Sequence, residues 1–341
     1  MVQTATLGGT AKDVVVAKTG LGVMGMTWTP NPVPDEQAFA AIKAGIDATP
    51  AGAKLLLNSG EFYAHDLDVG NLQLLARFFE KYPEYVERTF LSVKGGAKAR
   101  TLETDASPEN LRRSVDAINA ALRGTKRLDL FESARVDPKV PIEEAIKTLV
   151  GLIKEGKLDH IGLSECSAET LKRANAVHPI AAIEIEVSPT SYEEETKKVL
   201  ATAQELGVAV VAYSPLGRGL FTGEVKSAAD IPEGDIRRHL TRFRDDAIFK
   251  HNLGLVDAVN TIAEKKKVTP SQLTLAWVSA LGPQVIPIPG SSKASRIVDN
   301  AKGGSLDLTS EEKAALDNIV NNYEVKGDRY FGGPEQAHLW G

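Results

Sequence analysis

Residues 128–163 read LDLFESARVDPKVPIEEAIKTLVGLIKEGKLDHIGL, an apolar run, a helix and a second apolar run without a break. The run from Leu128 to Glu132 suits a buried strand. Pro141 then stands where a helix can begin, and Ile142, Ala145, Ile146, Leu149 and Ile153 fall on one face at helical spacing. Gly156 supplies a left-handed stop, and the strand from His160 to Leu163 follows directly. A strand, a crossover helix and another strand in this order form a parallel unit.

Outward from this stretch the same alternation repeats. Apolar runs occur at Val14 to Val23, Lys54 to Leu57, Thr89 to Val93, Leu128 to Glu132, His160 to Leu163, Ala181 to Val187, Val208 to Tyr213 and Val285 to Ile288. Eight strand–helix alternations predict an α/β chain folded as a single (β/α)8 TIM barrel over residues 1–341, with its reactive face where the strands end. Pro34-Asp35-Glu36 opens a helix running to about Ala48, and Ser107-Pro108 caps another whose stripe is Leu111, Val115, Ile118 and Leu122. Residues 2–16 are expected to form a hairpin over the opposite end. A long loop of roughly seventy residues follows strand 7 and contains two helices split near Thr269-Pro270. A closing helix after Ser310 and a polar tail through Trp340 complete the chain.

Composition narrows the function classes. A net charge of −5, with the basic cluster Arg237, Arg238, Arg242 and Arg244 interrupted by other residues, argues against nucleic acid and for a solvated face there. The opening residues lack a signal-peptide pattern and no stretch has the length of a membrane helix, so a cytoplasmic protein is expected. The single cysteine, Cys166, reads as a packed residue, and six scattered histidines offer no metal-ligand spacing.

Gly20-Leu21-Gly22-Val23-Met24-Gly25 matches the G-x-G-x-x-G dinucleotide pattern. That pattern works by aiming a helix N-terminus at a pyrophosphate, and Thr29-Pro30-Asn31-Pro32 cannot start a helix at once. The glycines fit close backbone approach at the barrel mouth, with Met24 and Trp28 overhanging it.

Tyr63 follows the second strand and Lys94 ends the third, so the two can converge. A phenol of ordinary pKa about 10 is a weak acid at neutral pH unless a cation stabilises its anion, and a nearby ammonium does so. Together they can act as a general acid.

GLGVMGMTW from Gly20, LLNSGEFY from Leu56, LSVKGG from Leu91, LDLFESARVD from Leu128, HIGLSE from His160, AIEIEVSP from Ala182, VAYSPLGRGLFTG from Val211 and IPIPGSS from Ile286 resemble the aldo-keto reductase superfamily, in order and over nearly the whole chain. The resemblance implies reduction of aldehydes or ketones with NADPH, Tyr63 as proton donor and Lys94 as the partner that lowers its pKa. Two positions depart from the family's usual tetrad. Asn58 stands where Asp is common and keeps a hydrogen bond to Lys94 without charge, and Ala134 replaces His and frees volume for a bulky ring beside Trp28. NSGEFY, FESARVD and the C-terminal Tyr323 to Tyr330 resemble the fungal pyridoxal reductase branch, which implies reduction of pyridoxal to pyridoxine.

For the cofactor, the resemblance places Gly22 and Met24 at the mouth, the Tyr213 ring against nicotinamide, and Ser164, Glu165 and Glu184 around its carboxamide. Ser214, Leu216, Gly217 and Gly219 can cradle a pyrophosphate through backbone amides. Ser291, Ser292, Lys293 and Arg296 suit a 2′-phosphate at a helix N-terminus, with Asp299 and Asn300 on that helix and Asn300 toward the adenine. The expected partner is a small-molecule aldehyde. A non-catalytic NADPH-binding regulatory subunit of the same superfamily is the alternative that the altered tetrad leaves open.

Overall fold

A computed structural model describes residues 2–330 and 339–341; residues 331–338 of the tail lie outside the described residues. The chain begins with a hairpin of β1 (Thr4–Thr6) and β2 (Val15–Ala17), paired antiparallel. Eight parallel strands follow: β3 (Leu21–Gly22), β4 (Leu55–Gly60), β5 (Thr89–Gly95), β6 (Leu130–Ser133), β7 (His160–Ser164), β8 (Ala182–Glu186), β9 (Ala209–Tyr213) and β10 (Val285–Pro287). They lie side by side in chain order. The run from Val14 to Val23 is therefore not one strand; its first half belongs to the hairpin and only its end to the barrel. The sheet curls onto itself at β3 and β10, where Gly20 N–H donates to Pro287 O at 2.9 Å and Gly22 bridges Gly290. A Cβ on Gly22 would lie 3.0 Å from Ile288 O, so this seam requires glycine.

The crossover helices are α1 (Asp35–Ala48), α2 (Gly70–Lys81), α3 (Pro108–Leu122), α4 (Ile142–Lys154), α5 (Ala168–Val177) and α6 (Glu194–Leu206). Ser107 caps α3 by accepting from Asn110 N–H, and Gly156 adopts φ +75° just beyond α4. On α4, Ile142, Ala145, Ile146 and Leu149 are buried as the periodicity predicts, Leu152 joins them, and Ile153 packs half-buried against the same core. The insertion after β9 carries α7 (Thr241–Arg244), α8 (Asp246–Lys266) and α9 (Pro270–Ser279), the last opened by a Thr269/Gln272 capping box. Helices α10 (Ala294–Gly303) and α11 (Ser310–Asn322) close the chain. Among the described residues no helix is long and apolar enough to cross a membrane.

Strand alternation sorts side chains into two layers. Leu55, Leu57, Leu91, Val93, Ile161, Leu163, Ile183 and Ile185 belong to the outer core that includes the helices. Leu56, Phe90, Leu130, Ala182, Val211 and Ile286 form a separate inner cluster with Ala5, Leu7, Ala11 and Val16 of the hairpin, which plugs the barrel's N-terminal end. Lys18, at that end, is buried and donates to the carbonyls of Gly282 and Pro283, each at 2.8 Å. Two residues further along five of these inner rows, apolar gives way to polar: Asn58 after Leu56, Ser92 and then Lys94 after Phe90, Glu132 after Leu130, Glu184 after Ala182, and Tyr213 after Val211, while β10 stays apolar with Ile288 after Ile286. The inner wall is thus greasy at the plugged end and hydrogen-bonding at the other.

The basic cluster corrects one expectation. Arg242 is buried, not solvated, and donates to Thr190 O at 2.8 Å, Ser191 Oγ at 3.1 Å and Gly327 O at 3.2 Å. Arg238 donates to Ile231 O and Arg237 pairs with Asp235, both within the insertion, while Arg242 ties the insertion to the segment after β8.

Candidate active site

The polar end of the inner wall is the candidate site. Beyond β4 the chain turns through Glu61-Phe62-Tyr63, and Tyr63 N–H donates back to Gly60 O at 3.3 Å. A Cβ on Gly60 would come within 2.8 Å of the Tyr63 ring, so glycine lets the phenol fold back over the strand end. The turn is pinned by Glu61, which accepts from Arg113 Nη1 and Ser114 Oγ of α3, both at 2.5 Å, and by Thr27 Oγ1 donating to Tyr63 O at 2.5 Å.

Lys94 is the neighbour of Gly60 in the β4–β5 register, and its Nζ sits 5.3 Å from the Tyr63 ring centroid. The two residues do converge. Nζ donates to Asn58 Oδ1 at 2.9 Å and to both oxygens of Glu184 at 2.6 Å, and Asn58 Nδ2 donates to Glu184 Oε2 at 2.5 Å. The Lys94–Asn58 bond expected from sequence is present, and Glu184 reaches the same ammonium from β8. On β6, Glu132 Oε1 accepts from Ser92 Oγ at 2.8 Å.

Electrostatics follows from this packing. Burial pulls the Lys94 ammonium down, but Glu184, with Tyr63 and Glu132 beyond it, holds it above the ordinary lysine range. Burial pushes the Tyr63 phenol up to about 12, with Lys94 pulling the other way. Burial thus outweighs the expected lowering by the ammonium, and Tyr63 is held in its proton-bearing form. Glu132 is raised well above the carboxylate range by burial and then by the charge of Glu184.

Beside this cluster lies an apolar patch of Phe62, Tyr63, Ala97 and Ala134, with Trp28 and Leu67 against it. The Trp28 ring stands 5.5 Å from Tyr63 and 6.0 Å from Phe62. Trp28 and Ala134 therefore both border the phenol, whereas Met24 is largely exposed, in a single turn over Met24–Met26. The first long helix after Gly25 begins only at Asp35, so no helix N-terminus follows the glycine pattern.

A second polar group occupies the mouths of β7, β8 and β9. Tyr213 hydroxyl donates to Glu165 Oε1 at 2.8 Å and lies 2.7 Å from the Tyr330 hydroxyl. Arg329, from the C-terminal segment, reaches Glu165 at 2.9 Å, Glu193 at 3.3 Å and Glu186 at 3.4 Å, and Arg218 reaches Glu186 at 2.9 Å. Burial pushes the Glu186 carboxyl up, but Arg218, Arg329 and Arg242 outweigh it and keep it low. The carboxylates of Glu165 and Glu184, expected to face a carboxamide, are thus both held by cations of the chain itself. Ser164 lies buried at the end of β7. Glu132, Glu186, Arg218, Arg329 and Tyr330 were not among the residues expected at the site.

After β9, Ser214, Gly217, Arg218 and Gly219 all take positive φ, and Leu216 sits between them. A Cβ on Gly217 would meet Thr190 Oγ1 at 3.0 Å. Past β10, Ser291 Oγ accepts from Lys293 N–H at 3.1 Å, and α10 starts with no side-chain cap. Lys293, Arg296 and Asp299 are exposed on this helix end, Asn300 is buried, and Arg296 pairs with Glu224 of the insertion.

The pattern that defines the Aldo/keto reductase family matches residues 18–321. The chain belongs to this family of oxidoreductases. This aldo/keto reductase is 38 % identical over 320 residues to a Schizosaccharomyces pombe protein named "Probable pyridoxal reductase 2", covering 92 % of this chain and 95 % of that one. It is 48 % identical over 208 residues to an aldo-keto reductase of Strobilurus tenacellus, covering 60 % of this chain and 62 % of that one. Its fold matches that of a glycerol dehydrogenase from Gluconobacter oxydans with a TM-score of 0.79 at 24 % identity, over 96 % of this chain and 98 % of that one.

Proposed function

We propose that this aldo/keto reductase reduces an aldehyde to an alcohol with NADPH, and that the aldehyde is pyridoxal, giving pyridoxine. The observation that carries the reading is the Lys94 ammonium 5.3 Å from the Tyr63 ring at the polar end of the inner wall. The pyridoxal reductase name of a relative aligned over 92 % of the chain supports the substrate.

The residues present fit the cofactor. The uncapped N-terminus of α10, with exposed Lys293 and Arg296 beside it, suits a 2′-phosphate, Arg296 exchanging Glu224 for it. Ser291 and Ser292 add hydroxyls, Asp299 and Asn300 lie on the same helix, and Asn300 can read the adenine edge. Ser214, Leu216, Gly217 and Gly219, in the left-handed turn after β9, are the proposed pyrophosphate cradle; there Gly217 N–H donates to Ser214 O at 2.9 Å and Gly219 N–H to Leu216 O at 3.1 Å, and both must be released to reach a phosphate. Gly22 and Met24 border the mouth, Ser164 serves the carboxamide and Tyr213 offers its ring. When bound, the reduced nicotinamide supplies the hydride. Tyr63 gives its hydroxyl proton to the carbonyl oxygen as that oxygen gains charge, and the Lys94 cation stabilises the phenolate left behind. Trp28, Phe62 and Ala134 belong to an apolar patch against which a flat aromatic aldehyde can pack.

Tyr63→Phe tests the reading. With pyridoxal and NADPH we expect kcat to fall by about 10²- to 10⁴-fold, while quenching of tryptophan fluorescence by NADPH persists. Retention of most of the activity would remove Tyr63 from the role. Absence of turnover by the unaltered chain on a broad aldehyde panel, with NADPH still bound, would instead favour a regulatory subunit.

A further inference from the structure

A lysine enclosed in a barrel interior stays charged only if something nearby carries the opposite charge. Two side chains accept from Lys94 Nζ, the neutral amide of Asn58 at 2.9 Å and the carboxylate of Glu184 at 2.6 Å. The other titratable groups that bear on it are Tyr63 in front and Glu132 behind. Glu132 Oε1 accepts from Ser92, while its Oε2 meets no donor among the described residues. Burial, and then the charge of Glu184, raise the Glu132 carboxyl well above the carboxylate range, so Glu132 adds no second negative charge. The cluster then balances: one ammonium, one carboxylate and one neutral acid.

We propose that Glu184 is the positioning residue that fixes the charge of Lys94. The counter-ion of the ammonium therefore comes from β8, across the barrel from the strand that carries Asn58. The inference rests on the proposed roles of Tyr63 and Lys94, and it takes Glu184 away from the carboxamide. Glu184 acts through Lys94 and touches no reacting atom. Asn58 sits on the same ammonium, so a carboxylate placed at 58 should take over when the one at 184 is removed.

The test compares the unaltered chain with Glu184→Gln and with the exchange variant Asn58→Asp/Glu184→Gln. The first readout needs no turnover: the protein is labelled with ¹⁵N at lysine Nζ, and the Lys94 resonance, identified by its loss in Lys94→Arg, is followed with pH. In the unaltered chain we expect Lys94 to stay protonated beyond the usual lysine value of about 10.4. In Glu184→Gln it should lose its proton at least about one unit earlier, and in the exchange variant the shift should reverse. The second readout is the pH profile of kcat/KM with pyridoxal. The alkaline limb should move down in Glu184→Gln, with kcat lower by about tenfold or more, KM for NADPH nearly unchanged, and recovery in the exchange variant. An unmoved Lys94 titration, or a change confined to KM for NADPH, would overturn the proposal, the latter in favour of carboxamide binding. If Glu184→Gln does not fold, the exchange variant must; failure of both overturns the proposal as well. If no aldehyde is turned over by any form, the functional reading fails and the NMR titration still decides the role of Glu184.

Discussion

Lys18 and Lys94 are the same side chain enclosed to nearly the same degree, 5 % and 6 % exposed, at opposite ends of one barrel. At the plugged end Lys18 donates to the carbonyls of Gly282 and Pro283, with no carboxylate partner among the described residues, and burial lowers it to about 8. At the open end Lys94 faces Glu184, and the carboxylate outweighs the same desolvation and raises it. Burial therefore does not decide the state of a lysine; the charge of its acceptors does. One end uses an ammonium to satisfy the carbonyls ahead of β10, and the other holds an ammonium beside a phenol.

The largest effect expected from breaking this contrast is at the open end. Lys94→Met leaves two enclosed carboxyl groups with no cation, and urea unfolding at neutral pH should show a loss of about 3 to 5 kcal/mol together with loss of reductase activity. An unchanged midpoint would mean the pair contributes nothing. The plugged end should show itself through pH. Because the folded-state value of Lys18 lies below its ordinary 10.5, the unfolded chain binds the extra proton between about pH 8 and pH 10.5, so the contribution of Lys18 to stability rises with pH across that window. The rise is at most about 3 kcal/mol, and Lys18→Met should abolish it; a difference between the two chains that stays constant over the window would refute the assignment. The smallest effect sharpens the comparison by moving geometry without charge. Gly60→Ala brings a Cβ to 2.8 Å from the Tyr63 ring, which should cost about 1 to 2 kcal/mol in thermal unfolding and reduce kcat with little change in KM for NADPH.

Much of this was readable from sequence because it is local. The helix from Pro141 to Gly156, the capped starts at Ser107 and Thr269, and the strand ends all follow from periodicity within a dozen or so residues. Tyr63 and Lys94 were found because their strands are adjacent in chain order and pair in the sheet. The contact between Glu184 and Lys94 escaped because β5 and β8 do not pair, and the two side chains meet only across the interior. A signal for them existed: stepping by two from Leu56, Phe90, Leu130 and Ala182 leads to Asn58, Ser92, Glu132 and Glu184, a polar row inside a buried wall. Arg242 was misread because a cation among acidic and polar neighbours looks solvated until the insertion folds over Thr190 and Ser191. Arg329 and Tyr330 had no local signal, since their partners at Glu165 and Tyr213 lie more than a hundred residues earlier.

The path of the chain end also has a practical side. Trp340 N–H donates to Glu165 O at 3.1 Å, beside the carboxylate that Arg329 holds. A purification handle appended after Gly341 would emerge at the rim of the candidate site, while one placed ahead of the β1–β2 hairpin would leave from the far pole. Immobilising this protein by its front end is therefore the attachment that keeps the entrance clear.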